Sequence, residues 1–167
     1  MIALYKGKSI VSRLIRWRTW SEYSHAAWVC EDGTILDAWQ KGGVRHVANI
    51  SVGHKPGTPV EFFTLYLTPM QRGMIECFLK RQVGKKYDWH GVLKFISRRK
   101  TTADQQKKWF CSELISAAFN HARRPLLVRI RDEQVSPGLL AISPLLKRKS
   151  IVYTRGKGRE PDREQTS

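Results

Sequence analysis

Three side chains in this sequence have the types that acyl transfer requires: Cys111, His25 and Asp37. Cys111 stands in "KKWFCSELISAAF", residues 107–119, where a polar stretch gives way to an apolar helical pattern. In the first turn of a helix, a cysteine sits among backbone N–H groups that lack helical acceptors, at the positive end of the dipole. That setting stabilises the thiolate, which is the nucleophilic form. The same N–H groups can receive the oxyanion of a tetrahedral intermediate. Packing is the competing reading. Cys111, Leu114, Ile115, Ala118 and Ala122 share one helical face, and free cysteine is among the most buried residue types. Local sequence alone favours that inert reading, and a base beneath the thiol would reverse it.

Five histidines are available, and their settings differ. His54 falls in a loop, His121 at a helix end, His90 near a helix start, and His46 beside Arg45 on a strand. His25 alone stands in an otherwise apolar, small-residue strand, "SHAAWVC", where a polar side chain needs a partner. Asp37, the only acid in the next strand, "TILDAWQ", is the candidate to orient the imidazole. The turn between them decides whether it reaches. A two-residue Asp32-Gly33 turn pairs position 28 with 37 and sends His25 and Asp37 to opposite faces. A three-residue Glu31-Asp32-Gly33 loop, with Gly33 left-handed, pairs 27 with 37 and 25 with 39. His25 and Asp37 then become diagonal neighbours, with backbones about 7–8 Å apart. Gly33 is the residue such a loop demands, so the three-residue loop is expected, with Asp37 accepting a hydrogen bond from His25.

The elements that must place these groups follow from periodicity and turn chemistry. Residues 2–5 predict a strand, and 24–30 with 34–40 the hairpin; 43–48 and 60–67 predict further strands. Residues 9–17 predict a short basic helix. Its Ile10, Leu14 and Trp17 stripe is expected to face the core, with Arg13, Arg16 and Arg18 solvated. A membrane-surface role is the second reading of that helix. Thr68, Pro69 and Gln71 form a capping-box start for a helix whose buried stripe is Met70, Met74, Phe78 and Leu79, ending at Gly84. A second helix is expected over 89–97 with Asp88 as cap, then an exposed polar stretch over 98–108, then the helix from Cys111 to about 122. A strand over 127–130, a turn over 136–140 and a strand over 151–153 complete the domain. Cys30 and Cys77 read as buried packing residues.

Length and composition frame the rest. The 167 residues suit one domain over 1–154, followed by a charged tail over 155–167 that lacks large apolar residues and is expected to be disordered. Thirty Lys+Arg against 14 Asp+Glu give a net charge of +16, which attracts anionic partners: cell-wall polymer, acidic lipid or nucleic acid. Nucleic acid is the partner without a supporting motif. Three cysteines without a C-x-x-C pair argue against a disulfide framework or zinc finger, and no ligand cluster is apparent along the chain, so no metal or cofactor is expected. The N-terminus lacks a signal-peptide pattern, and no stretch approaches the roughly 20 apolar residues of a bilayer span. The expected location is cytoplasmic at synthesis, with phage-type delivery or peripheral contact as routes to the envelope.

"SHAAWVCEDGTILDAW", "VGKKYDWHGVL" and "WFCSELISAAF", in that order, resemble the circularly permuted papain-like hydrolases related to the NlpC cell-wall peptidases. In NlpC-type enzymes a G-x-x-Y-x-W segment precedes a D-C-S-G-L helix, and the histidine strands follow. Here Gly84, Tyr87 and Trp89 match the first segment, and Cys111, Ser112 and Leu114 the second, while the histidine strand comes first. That permuted order is shared with the YiiX-like amidases and the lecithin:retinol acyltransferase group. The similarity spans roughly residues 2–145. It implies an α+β, permuted papain-like fold: an antiparallel sheet or barrel packed against helices, with the nucleophile at a helix N-terminus. It also implies Cys111 as nucleophile, His25 as base and a polar orienter at Asp37, where the acyltransferase group usually has histidine. Tyr87, Trp89 and Trp39 are the residues expected on the oxyanion and substrate side. Glu113 replaces the glycine of the NlpC helix and reads as an acid favourable to the helix dipole.

The function expected on these grounds is a cysteine hydrolase that cleaves an amide through an acyl-enzyme. A cell-wall peptidase or amidase, of the kind that occurs in phage, is the first reading. A lipid-directed acyl hydrolase or acyltransferase at membranes is the alternative, and a non-enzymatic basic nucleic-acid-binding module is the second alternative.

Overall fold

The computed structural model describes residues 1–88 and 108–156. Strands β1 (Ile2–Tyr5), β2 (His25–Val29), β3 (Ile35–Trp39), β4 (Gly43–Val47), β5 (Pro59–Thr64) and β8 (Lys147–Tyr153) form a six-stranded sheet in the order β4-β3-β2-β1-β5-β8. All of its pairings are antiparallel, and β4 and β8 stand at its two edges, so the described residues form an open sheet rather than a barrel. Strands β6 (Lys86–Tyr87) and β7 (Lys108–Trp109) pair in parallel. The helices are α1 (Ile10–Thr19), α2 (Pro69–Gln82), α3 (Cys111–His121) and α4 (Pro137–Ala141), with a 3-10 turn at Asp132–Gln134.

Both faces of the sheet centre are covered, which is why β1 reads as an uninterrupted apolar run. Ile2, Leu4, Ala26, Trp28, Leu36 and Ala38 join Leu79, Leu114, Ile115 and Phe119 in the larger core beneath α2 and α3. Their alternates Ala3, Tyr5, Ala27, Val29 and Ile35 form a smaller apolar cluster on the other face. The hairpin takes the three-residue loop: Gly33 has φ +81°, its N–H donates to the Cys30 carbonyl, and Ala27 pairs with Asp37. Thr68 and Gln71 exchange the two bonds of a capping box at the start of α2.

Several expectations are corrected by packing. On α1 the buried residue is Ile15, with Val11 packed beside it, while Ile10, Leu14 and Trp17 face outward. Periodicity located the helix but not its inner face, because apolar residues recur on two sides of it. On α2 the buried residues are Ile75, Leu79 and Gln82; Met70 is exposed, and Met74 and Phe78 are only partly covered. Cys77 is exposed rather than packed, unlike Cys30. Residues 127–130 are a bend, with Arg129 left-handed at φ +65°, and 136–140 belong mainly to α4, a short helix capped by Ser136. The last strand is longer than expected, and β5 ends before residue 67. The helix expected over 89–97, nearly all of the polar stretch over 98–108, and the tail from 157 lie outside the described residues.

Candidate functional site

His25 is the first residue of β2, opposite Tyr5 on β1, so its ring stands at the end of the sheet. Its Nε2–H donates to Asp37 Oδ2 at 2.8 Å, within a pair that is almost fully buried. The register explains the meeting: Ala27 pairs with Asp37, which puts His25 and Asp37 on one face as diagonal neighbours. Cys111 opens α3 and is fully buried, close enough to His25 for its thiolate to raise the pKa of the imidazole. With Nε2 committed to Asp37, Nδ1 is the ring nitrogen left for the thiol.

The helix start is built by its neighbours. Phe110 is the N-cap, and its N–H donates to Glu113 at 3.2 Å, so Glu113 serves the helix end. Leu114 N–H bonds to the Phe110 carbonyl, so the earlier N–H groups, those of Cys111 and Ser112 among them, precede the first helical acceptor. Ser112 Oγ donates to the Val135 carbonyl, and Ser116 donates to Asp132, so the 3-10 turn anchors the outer side of α3.

The electrostatics reinforce one another. Burial by itself would lower the His25 pKa, but the Cys111 thiolate and the Asp37 carboxylate outweigh it and raise it to about 9. Burial pushes Asp37 up, and the bonds and charges of His25 and Arg45 hold it below the usual carboxylate range. Arg45 grips that carboxylate with two bonds, Nε to Oδ1 at 2.7 Å and Nη2 to Oδ2 at 3.1 Å. Its guanidinium also lies 4.2 Å from the centre of the Trp39 ring.

Of the other residues named from sequence, Trp39 meets His25 edge to face at 5.3 Å and so walls the imidazole. Tyr87 is buried against Phe110, with ring centres 6.0 Å apart. Burial, then the Cys111 thiolate, pushes its hydroxyl well above the ordinary range, so Tyr87 stays protonated. Trp89 lies outside the described residues.

Two neighbours of the site escaped the sequence reading. Arg45 had an available signal, since a tight β3–β4 hairpin puts position 45 opposite Asp37. His54 had none, because its loop returns to the sheet only in three dimensions. It stacks on Tyr5 at 4.0 Å and lies 5.4 Å from His25 and 4.7 Å from Trp39. Its Nε2 is buried without a hydrogen-bond partner among the described residues, and burial, then the His25 charge, lowers its pKa to about 3. Of the other histidines, His46 and His121 are exposed, His46 bonding to Thr34 and His121 lying beside Phe78, and His90 lies outside the described residues.

The fold also assembles what the chain order concealed, a group of possible metal ligands. Donor atoms of His25, Asp37 and His54 lie within 4.8 Å of one another. They do not suit a cation as arranged. Arg45 already occupies both oxygens of Asp37 and supplies the positive charge that a metal would bring.

No protein-family model matches the chain, and no curated protein matches it. Among solved structures, it is similar to the crystal structure of the metalloprotein yiiX from Escherichia coli O157:H7, also designated DUF1105. The TM-score is 0.61 at 19% identity, over 89% of this chain and 94% of that one. What that likeness shows is the fold: this chain has a YiiX-like α+β architecture.

Proposed function

We propose that the chain is a cysteine hydrolase of permuted papain-like design, in which Cys111 attacks an acyl carbonyl. The observation that carries this reading is a buried His25 bonded to the Asp37 carboxylate and electrostatically coupled to a first-turn helical thiol. His25 takes the thiol proton on Nδ1 while Asp37 fixes its orientation and stabilises the imidazolium. The thiolate adds to the carbonyl carbon, and the oxyanion is received by first-turn N–H groups, with the protonated Tyr87 as a second donor. Collapse of this intermediate passes the His25 proton to the leaving amine and leaves an acyl-thioester on Cys111. Water, deprotonated by His25, then attacks the thioester, releases the carboxylic acid and restores the thiol.

A cell-wall peptide amide is the substrate that the NlpC resemblance favours, and a charge of +16 suits an anionic wall polymer. An acyl lipid is the second reading, favoured by the outward-facing apolar residues of α1. Although yiiX is described as a metalloprotein, no step of this mechanism runs through a metal, because Arg45 blocks the ligand group. Incubation with purified cell wall and with phospholipid separates the two substrates. Released peptides support the first, released fatty acids the second, and neither product with wild-type protein contradicts the hydrolase reading.

A further inference from the structure

On α1, Ile10, Leu14 and Trp17 follow one another along one side, and Trp20 continues the stripe at the left-handed C-cap. Their exposures are 84, 41, 69 and 91%. The helix has already buried Ile15 and packed Val11, so folding does not need this second apolar face. Single exposed hydrophobic residues are ordinary, but four large ones in a row mark a contact surface.

Basic groups border the stripe. A groove of about 650 Å3 is lined by Lys8, Arg13, Arg16, Trp17 and Trp20, and by the acidic Glu22, whose charge Lys6 offsets. Within it, Arg16 Nε is buried and without a hydrogen-bond partner among the described residues. The helix is firmly seated. Lys6 bridges Glu22 at 2.6 Å and buried Glu61 at 2.7 Å, and the Gly7 N–H donates to Ser24 Oγ at 3.0 Å, joining the two ends of the α1 segment.

We propose that α1 docks the chain on the surface of an anionic lipid bilayer. The two tryptophans, Ile10 and Leu14 enter the boundary between headgroups and acyl chains, and Arg13 and Arg16 meet the lipid phosphates. Charge selects this occupant over a second copy, which would bring an equal positive surface against the first. Composition selects it over nucleic acid: bases stack on tryptophan, but aliphatic Ile10 and Leu14 gain nothing from a phosphate backbone. The docking face belongs to the site's end of the sheet, since Tyr5 precedes α1 and His25 follows it. It requires no chemistry at Cys111.

The test is sedimentation of the full chain with vesicles of phosphatidylglycerol and phosphatidylethanolamine, set against vesicles of phosphatidylcholine alone. Expected are preferential binding to the anionic vesicles, weakened by salt, and a blue shift of tryptophan emission. The double variant Trp17→Ser/Trp20→Ser should bind about tenfold or more weakly with its thermal midpoint unchanged, and Arg13→Gln should weaken anionic binding alone. Cys111→Ala should bind as the wild type does, so failed docking and failed chemistry give different results. Undiminished binding by the double variant overturns the proposal. So does absence of vesicle binding, whether the face instead supports a dimer or salt-sensitive DNA binding.

Discussion

At Asp37, two bonds from Arg45 and one from His25 leave the carboxylate no freedom to turn, so its direction and its charge are set together. Arg45 is therefore a positioning residue that acts on the imidazole through Asp37. Arg45→Met should lower kcat by about tenfold or more with little change in KM. It should also move the acid limb of the rate profile upward, because Asp37 loses a cation that favours its ionised form. A profile that keeps its acid limb would show that Arg45 only packs against Trp39. At the alkaline limb, His25 keeps its proton to about pH 9, so kcat/KM should fall as pH rises through that value. His54 titrates in the opposite sense. Its folded pKa of about 3 lies below the unfolded 6.5, so its contribution to stability is complete above pH 6.5 and fades toward pH 3. Thermal midpoints of wild type and His54→Phe measured across that range check this. The wild type should lose ground to the variant as pH falls, and a constant difference would contradict it.

Local signals placed the elements around the site with unequal success. The β2–β3 loop was legible because one glycine at φ +81° decides between two registers, and Thr68 and Gln71 declared the start of α2 by spacing alone. Cys111 was legible as a first-turn residue, since the apolar pattern of α3 begins there. Which helical face turns inward was not legible on α1, because Ile15 and the outward stripe have similar apolar character. The run "LVRI", residues 127–130, reads as a strand, yet the preceding Leu126 is buried in the α3 core and left-handed Arg129 breaks the extension. Arg45 was legible in principle from the tight β3–β4 hairpin, which sets it opposite Asp37, whereas His54 depended on tertiary return that the turn chemistry of its own segment does not encode. Gly43 is a further element-scale constraint: at φ +78°, a Cβ there would strike the Lys85 carbonyl, which accepts from Val44 N–H at 2.8 Å. Gly43→Ala should cost about 1–3 kcal/mol and disturb the strand that carries Tyr87, read as a lower denaturation midpoint. An unchanged midpoint would show that the β4–β6 approach relaxes freely.

Across the whole molecule, a charge of +16 on a single sheet-and-helix body means that like charges crowd one another. Raising ionic strength should therefore raise the thermal midpoint, and a midpoint that falls with salt would point to ion pairs outweighing the repulsion. The site joins the two faces of the sheet: Cys111 belongs to the large core under α2 and α3, while His25 and Asp37 lie on the face of the small cluster that includes Tyr5. The central claim is that the thiol opening α3 is the nucleophile. Its most direct test is reaction of the native chain with an acyl-mimetic electrophile, read by peptide mass spectrometry beside turnover of the Cys111→Ala variant. The account predicts one adduct on Cys111 despite the greater exposure of Cys77, and loss of all turnover in the variant at an unchanged thermal midpoint. Turnover retained by Cys111→Ala, or an adduct on Cys77 with Cys111 unmodified, would contradict it.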